Sequence, residues 1–469
     1  MLTRKEKISY GLGDLSSNII LAAISFYLLY FMVSVAGLNA GLAGLVFIIG
    51  KGLDAITDYL MGIISDHTKS KWGKRKVYIL FGAIPYGICF ILLWICPFNE
   101  NTSQLMKFIY YAGIYMLFTT VWTVVYVPYN ALTANMTQDY DERTSLNGIR
   151  IIFANIGLLL GAAIFALLAE GEGSILATAF GSVKTGYLVA SIIFGFIALI
   201  IMLICGFGVK ERYDSSETFN KSFIVTIKEF FKLKEFRYMM MHYLLSMVGF
   251  DIIMAVFLFF INDALGFGNV GGGEISMIFI ALPLIVAILS ATIWVNFASK
   301  YNNIKVYRVA VIGITLSLLL CLIIPSYNAN NPFVSYFFLA LVVILVGAGM
   351  SAIQILPFAS IPDVVEVDEY VNGTRREGAF YGIVQFVYKT ASGFAIAIVS
   401  WILGLCGYVE SMDGKILVQP QSALLAIRIV IGILPGLIFI ASVYFGKHAN
   451  LDRERFNDIK EKLAIRKQS

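Results

Sequence analysis

Long apolar stretches alternate with short polar segments along the whole chain, and each stretch is about as long as a membrane-crossing helix. Because a hydrocarbon core of ~30 Å needs roughly 20 apolar residues in a helix, the pattern predicts a polytopic all-α integral membrane protein. A membrane β-barrel would instead alternate apolar and polar residues over short strands. Twelve spans are predicted, near 9–35, 40–65, 77–97, 105–136, 146–168, 184–209, 238–262, 273–299, 304–325, 333–361, 377–404 and 422–446.

The longest polar connection divides the twelve spans into two groups of six. We predict an N-terminal six-helix bundle over 1–209, a cytoplasmic central loop over 210–237, a C-terminal six-helix bundle over 238–446 and a cytoplasmic tail over 447–469. Two such halves are typical of transporters that bind their substrate at the midplane, between pseudo-symmetric bundles. No residue-level repeat relates the halves, so the symmetry is inferred from the span count.

Composition agrees with a membrane protein and narrows the function. Only 14% of the residues are charged, against about 25% in soluble domains. Lysine and arginine concentrate in alternate loops. Because such loops face the cytoplasm, we expect both termini on the cytoplasmic side of a cell membrane. The net charge of +5 follows from those loops and does not indicate nucleic acid. The five cysteines show no metal-ligand spacing, so neither a cofactor nor a structural metal is expected.

The second span carries charged residues on one face of its helix. Lys51, Asp54 and Asp58 follow one another at offsets of three and four residues, with Thr57 beside them. A charge at membrane depth costs about 2.5–3.5 kcal/mol, so this face must meet a wet or protein-lined cavity. Carboxylate and hydroxyl oxygens suit a small monovalent cation or a proton. The alternative is an ion pair within the bundle, although Lys51 neutralises only one of the two acids.

Other polar and aromatic residues suit a sugar. The fourth span holds Trp122, Tyr126 and Asn130 around Pro128, which removes a backbone hydrogen bond and kinks a helix. Aromatic faces stack on sugar rings and amides bind hydroxyls, although ordinary packing explains about half of these residues. Asn18, near the midplane of the first span, is a second candidate for a sugar hydroxyl.

Four further polar or charged residues of the spans are candidates for a functional site. Arg150 opens the fifth span, where it either reaches inward or pairs with acids at the membrane surface. Gln385 and Lys389 share a face of the eleventh span, and a lysine at that depth is expected to be functional. Asp251 of the seventh span either pairs with Lys389 or binds substrate.

Several motifs resemble the glycoside–pentoside–hexuronide:cation symporter family, the melibiose-permease-like branch of the major facilitator superfamily. The resemblance covers almost the whole chain and implies a major-facilitator-type fold, with twelve transmembrane helices in two pseudo-symmetric six-helix bundles. The motifs are specific together and weak singly. They are SYGLGD at 9–14, DAITDYLMG at 54–62, KSKWGKRK at 69–76, VPYNAL at 127–132, DERTSLNGIR at 141–150 and GTRREGAFYG at 373–382.

The resemblance also implies roles for individual residues. In sugar-transporting members of the family, positions matching Asp54 and Asp58 bind the coupling Na⁺, Li⁺ or H⁺, and positions matching Thr57 and Thr123 belong to the same cation site. Basic residues of the family match Arg150 and Lys389.

Two family acids that hold a galactoside are replaced here, by Asn18 and Tyr126. The loss of these acids predicts a more positive cavity and shifts the expected substrate slightly toward an acidic or non-galactoside compound.

The expected function is cation-coupled symport of a glycoside, oligosaccharide or hexuronide by alternating access. The expected partners are a sugar, the coupling cation and the lipid bilayer, and the protein is expected to be monomeric. An alternative within transport is a sodium-coupled lysophospholipid carrier, which a lateral apolar opening would favour. A membrane enzyme or receptor is a remote alternative, because no nucleophile–base pair or metal motif is present in the sequence.

Overall fold

The computed structural model describes residues 2–213, 223–270, 273–372, 377–415, 417–449 and 461–462. Over these residues the chain is helical, with an isolated bridge between Ala36 and Met412 in place of any sheet. Within the described ranges, twelve helices are long and apolar enough to cross a membrane, as the sequence predicted. We number them α1 (Arg4–Leu28), α2 (Ala40–His67), α3 (Lys76–Leu93), α4 (Gln104–Met136), α5 (Ser145–Ala169), α6 (Val183–Gly208), α7 (Lys234–Ala264), α8 (Gly273–Lys300), α9 (Asn303–Leu322), α10 (Pro332–Asn372), α11 (Phe380–Leu405) and α12 (Gln421–Ala449).

Local sequence explains where the first helices start. The hydroxyl of Thr3 accepts the backbone N–H of Glu6, and the Glu6 carboxylate accepts the N–H of Thr3, which forms a capping box. This cap starts α1 at Arg4, five residues before the predicted span. The side chain of Asn39 accepts the N–H of Gly41 and starts α2 in the same way. Apolar content alone therefore placed the start of α1 too late, because the first turns are polar.

The central connection is more structured than the predicted loop over 210–237. A helix at Phe223–Lys232 lies within it, and α7 begins at Lys234. Phe230 of this short helix is buried against Phe236 of α7 and Phe380 of α11. The short helix is amphipathic, so its apolar face binds the second half of the chain. Residues 214–222, 373–376 and most of the tail lie outside the described residues, including part of the GTRREGAFYG motif.

We describe the helix packing in two groups, α1 to α6 and α7 to α12. In the first, α1 packs on α5 and α6, and α4 packs on α2 and α3. In the second, α7 packs on α11 and α12, and α10 packs on α8 and α9. The most extensive packing between the groups joins α2 to α11. A Cβ atom at Gly44 would lie 2.8 Å from the Cα of Ala397, so a glycine is needed for this close approach.

The loops after α1, α3, α5 and α11 meet at one end of the bundle, which we call the distal end. There the backbone N–H of Asp413 donates to Val35 at 2.9 Å, and the Oδ1 atom of Asp413 accepts the N–H of Lys184 at 2.7 Å. Asn39 donates from its amide to Glu410 at 2.8 Å. These bonds join the first group of helices to the second. The distal end is therefore closed in this structure.

Candidate functional site

The acid pair of α2 faces α4 and α11. Asp54 is 7% exposed and Asp58 lies one helical turn further along, partly buried. The Nζ atom of Lys389 lies 2.8 Å from Oδ2 of Asp54 and also contacts Oδ2 of Asp58. One ammonium of α11 thus bridges both carboxylates of α2. Charge-assisted hydrogen bonds of this kind are about twice as strong as neutral ones.

A single hydroxyl completes the acid pair from the side of α4. The Oγ1 atom of Thr123 lies 2.8 Å from Oδ1 of Asp54 and 2.8 Å from Oδ1 of Asp58. A hydroxyl donates only one hydrogen, so it satisfies one carboxylate at a time. Thr57 donates to the backbone carbonyl of Asp54 at 3.1 Å and lies 3.3 Å from the Thr123 hydroxyl. All four carboxylate oxygens of the pair thus contact either the Lys389 ammonium or the Thr123 hydroxyl.

Lys51 does not bind the acids of its own helix. Its ammonium donates to the hydroxyl of Ser392, which in turn donates to Oδ2 of Asp251. The hydroxyl of Tyr388 lies 3.3 Å from the other oxygen of Asp251. Asp251 therefore pairs with Lys51 through a serine, and not with Lys389, among the described residues. Sequence reasoning missed Ser392 and Tyr388, although both lie on α11 within a few residues of Lys389.

Arg150 reaches inward and pairs with the first helix. Its Nε atom lies 2.5 Å from Oδ2 of Asp14, and Nη2 lies 3.3 Å from Oδ1. Nη2 also donates to Oδ1 of Asn130. The guanidinium carbon lies 5.4 Å and 5.1 Å from the ring centres of Tyr10 and Tyr129, within the range of cation–π attraction. Among the side chains that the structure describes, Arg150 makes no ion pair with the surface acids before α5.

The aromatic residues of α4 divide into packed and partly exposed rings. Trp122 is 6% exposed and packs against Tyr86 and Phe118. Tyr126 is only partly buried, and its ring is tilted against that of Trp122 at a ring-centre distance of 4.9 Å. Asp14, Arg150 and Lys389 all lie near enough for their charges to act on the Tyr126 hydroxyl. Tyr126 is thus better placed for a ligand than Trp122.

The two predicted amides make local contacts. Asn18 donates from Nδ2 to the backbone carbonyl of Asp14 at 2.8 Å, one turn earlier on α1. Gln385 donates to the hydroxyl of Tyr243 at 3.5 Å, across to α7. Both side chains are partly buried. Asn18 keeps its carbonyl oxygen for another donor, whereas Gln385 lies beside α7 rather than beside the acid pair.

Together the buried charged residues form what we call the central charge network, and its net charge can be counted. It contains four acids and three basic side chains, so with every group ionised it carries one excess negative charge. This balance does not support the more positive cavity expected from the two replaced acids, because Asp14 and Asp251 each accompany a basic residue. The members are Asp14, Lys51, Asp54, Asp58, Arg150, Asp251 and Lys389.

An apolar pocket lies away from this network. Phe26 of α1 contributes one wall, and residues such as Phe257 of α7 and Met350 of α10 contribute the others. All of its lining side chains are apolar, and no member of the central charge network lines it. Its cavity volume is about 30 Å³, which is too small for an acyl chain in this state, and its lining offers no side-chain hydrogen bond to a sugar.

Comparison with known proteins identifies the family. Residues 9–452 match the model of the MFS/sugar transport protein family, and the chain belongs to that family. A putative glycoside/cation symporter of Escherichia coli is 28% identical over 94% of this chain and 92% of its own length. The sodium-dependent lysophosphatidylcholine symporter 1-A of Danio rerio is 26% identical over 99% of this chain and 89% of its own length.

A solved structure supports the fold. The crystal structure of the nucleoside transporter NupG is similar with a TM-score of 0.64 and 14% identity, over 96% of this chain and all of that one. The major-facilitator-type fold predicted from the sequence is confirmed. The protein is a multi-pass membrane transporter of the secondary active type, and it is not an enzyme.

Proposed function

We propose that the protein couples a monovalent cation, Na⁺ or H⁺, to symport of a neutral glycoside or oligosaccharide by alternating access. The observation that carries the proposal is the arrangement of Asp54, Asp58 and Thr123 around the Lys389 ammonium. In the proposed cycle the coupling cation takes the place of that ammonium between the carboxylates. Lys389 belongs to α11 and the acids to α2, so the exchange weakens a bridge between the two groups of helices.

Charge balance supports one cation and a neutral substrate. The central charge network has one excess negative charge, and one monovalent cation neutralises it. A neutral site costs less to enclose than a charged one, so the halves close around substrate and ion together. A hexuronide would restore the negative charge and therefore calls for a second cation. We propose Tyr126, Asn130, Asn18 and Arg150 as the sugar-facing residues.

The proposed setting is a cell membrane, with a monomer whose termini are both cytoplasmic. Lysine and arginine in the loops opposite the distal end support this orientation. In that orientation the closed distal end faces outward. The central charge network would then be reached from the cytoplasm in this structure.

Uptake into proteoliposomes tests the proposal. Full-length protein is reconstituted, and radiolabelled neutral glycosides, pentosides and a glucuronide are offered with inward Na⁺, Li⁺ or proton gradients. We expect a neutral glycoside to accumulate only when a monovalent gradient is imposed. Asp54→Asn and Asp58→Asn should abolish accumulation, whereas Glu100→Gln, which changes an exposed loop acid, should retain it. Accumulation by the double Asn variant would refute the coupling role of the pair.

A lysophospholipid carrier is a second candidate because of the apolar pocket beside Phe26 and Phe257, which would have to widen in another state to hold an acyl chain. The relative from Danio rerio is named for lysophosphatidylcholine and sodium, which suits a site combining an acyl chain with a cation. The same proteoliposomes distinguish the candidates. Na⁺-driven uptake of labelled lysophosphatidylcholine, with none of any glycoside, would favour the lipid. We expect uptake of the glycoside rather than the lipid, because the partly exposed polar groups lie in the central charge network.

A further inference from the structure

A buried carboxyl at the distal end has no role in the central charge network. Glu170 follows the last residue of α5, and its side chain is 2% exposed. Its Oε1 atom accepts a hydrogen bond from the amide of Asn262 on α7 at 2.6 Å. Its Oε2 atom is buried and lacks a well-formed hydrogen bond among the described residues, although the Ser276 hydroxyl of α8 lies close to the carboxyl group. A buried carboxylate oxygen without a donor is costly, whereas a protonated carboxyl removes most of that cost.

The surroundings of Glu170 supply no compensating positive charge. Within the described part of the chain, no lysine, arginine or histidine forms an ion pair with it. Burial raises the pKa of Glu170 above its ordinary value. The titratable groups that interact electrostatically with Glu170 are tyrosines and an aspartate. Each becomes negatively charged when it ionises, so none of them stabilises a carboxylate at Glu170. They are Tyr27 of α1, Tyr30 just after α1, Tyr187 of α6 and Asp263 of α7.

Glu170 lies where the two groups of helices touch. Its partner Asn262 belongs to α7, so their hydrogen bond crosses between the groups. One turn before Glu170, the carbonyl of Ala166 would lie 2.2 Å from a Cβ atom at Gly273, so α5 and α8 pack backbone to backbone. Nearby, the hydroxyl of Tyr408 lies 3.0 Å from Oδ2 of Asp263 and 3.0 Å from the Ser34 hydroxyl. Separation of the halves at this end would expose Glu170 to water.

We propose that Glu170 is a proton-binding site at which closure of the distal end takes up one proton. The proton adds to a carboxylate oxygen when the halves close and leaves to solvent when they separate. The site is distinct from Asp54 and Asp58 and does not depend on which ion or substrate is carried. It makes the closed state sensitive to pH on the distal side of the membrane.

The direction of the pH dependence follows from linkage. The closed state binds the proton more tightly than the open state, so acid favours closure. The preference for the closed state is complete below the ordinary glutamate pKa of about 4.5. It is lost as the pH rises through the raised pKa of Glu170 in the closed state. One linked proton changes the ratio of open to closed molecules by at most about tenfold per pH unit.

Distance measurements between spin labels test this proposal. Asn101 and Asn330 are exposed in distal loops of the two halves, so Asn101→Cys and Asn330→Cys provide label sites once the five native cysteines are replaced. Full-length protein in nanodiscs is measured by double electron–electron resonance from pH 5 to pH 8.5 without substrate. We expect the long-distance population to increase with pH in the parent and to stay low in Glu170→Gln at every pH.

A matched variant and a second measurement complete the test. Glu410→Gln changes another distal acid that bridges the halves, through Asn39, and should keep the parental pH slope. A parent without a pH slope, or a Glu170→Gln variant that keeps it, overturns the proposal. If Glu170→Gln fails to fold, infrared spectra of the parent still decide. We expect a protonated-carboxyl band that fades as pH rises and that Asn262→Leu shifts, and a spectrum unchanged with pH contradicts the site.

Discussion

The ammonium of Lys389 lies 2.8 Å from Oδ2 of Asp54, so a basic side chain of α11 is bound within the acid pair of α2. A coupling cation attracted to the same oxygens therefore competes with a group that belongs to the protein. The competition links ion binding to the contact between α2 and α11. It also makes the cation affinity adjustable by mutation at a residue that is not itself an ion ligand.

Lys389→Ala should tighten cation binding and abolish coupled accumulation. Removal of the competing ammonium leaves two carboxylates without a counter-charge, which increases their attraction for Na⁺. We expect a gain of about tenfold or more in Na⁺ affinity, equivalent to at least ~1.4 kcal/mol, from the loss of charge-assisted hydrogen bonds. Titration calorimetry with Na⁺ measures it. Gln385→Ala, one turn away and directed at Tyr243, is the control and should leave Na⁺ affinity unchanged.

Thr123→Val should weaken cation binding without unfolding the protein. Valine keeps the shape of threonine but lacks the hydroxyl that lies 2.8 Å from both carboxylates. We expect about a tenfold loss of Na⁺ affinity, typical of one hydrogen bond to a charged group. Thr123→Ser should retain most of the affinity. Thr120→Val removes a hydroxyl that bonds only to Met116 of its own helix, so an equal loss there would contradict the assignment.

Thermal stabilisation should respond to monovalent ions and not to Ca²⁺. Two carboxylates and two hydroxyls offer at most six oxygens, the lower limit of what Ca²⁺ takes in proteins, and the Lys389 ammonium already contacts two of them. No cluster of three or more His, Cys, Asp or Glu residues suited to a metal occurs among the described residues. We expect the melting temperature to rise with Na⁺, Li⁺ or a change of pH. A rise with Ca²⁺ alone would contradict a monovalent site.

Asp14 and Arg150 should behave as one unit in a double-mutant cycle. Arg150→Gln leaves Asp14 buried without its counter-charge, which typically costs about 3–5 kcal/mol. Asp14→Asn likewise leaves Arg150 without its counter-charge. The double variant Asp14→Asn/Arg150→Gln should be clearly more stable than the sum of the two losses predicts, as thermal unfolding in detergent will measure. Simple additivity would mean that the 2.5 Å contact contributes little.

Substitution of Trp122 should mainly reduce stability, whereas substitution of Tyr126 should mainly weaken sugar binding. Trp122 is buried among aromatic rings, so Trp122→Ala should lower stability by roughly 3–5 kcal/mol. Tyr126 is partly exposed near charges of the central charge network, so Tyr126→Ala should mainly weaken sugar binding, and Tyr126→Phe should keep the aromatic surface. Substrate-induced stabilisation and unfolding temperatures distinguish the two effects. Loss of stability without loss of binding in Tyr126→Ala would assign that ring to packing.

Sequence alone determined the class of protein, the twelve spans and the one-sided stripe of charges on α2. Hydropathy and helical periodicity are local properties, so they can be read along the chain without knowing which helices touch. The alternation of basic loops and the family motifs are also local properties of the sequence. Local signals failed only where polar turns extend a helix, as at Arg4 in α1, or where a short amphipathic helix interrupts a polar connection, as at Phe223–Lys232.

Tertiary structure decided which charge pairs with which. Lys389 and Asp58 are 331 positions apart, and Arg150 and Asp14 are 136 positions apart. Whether such residues meet depends on the rotation and crossing of helices, which close contacts such as Gly44 against Ala397 determine. The stripe suggested that Lys51 would serve the acids beside it, but packing turned it toward Ser392. Glu170 carried no signal in the sequence, because only the meeting of α5 and α7 buries it.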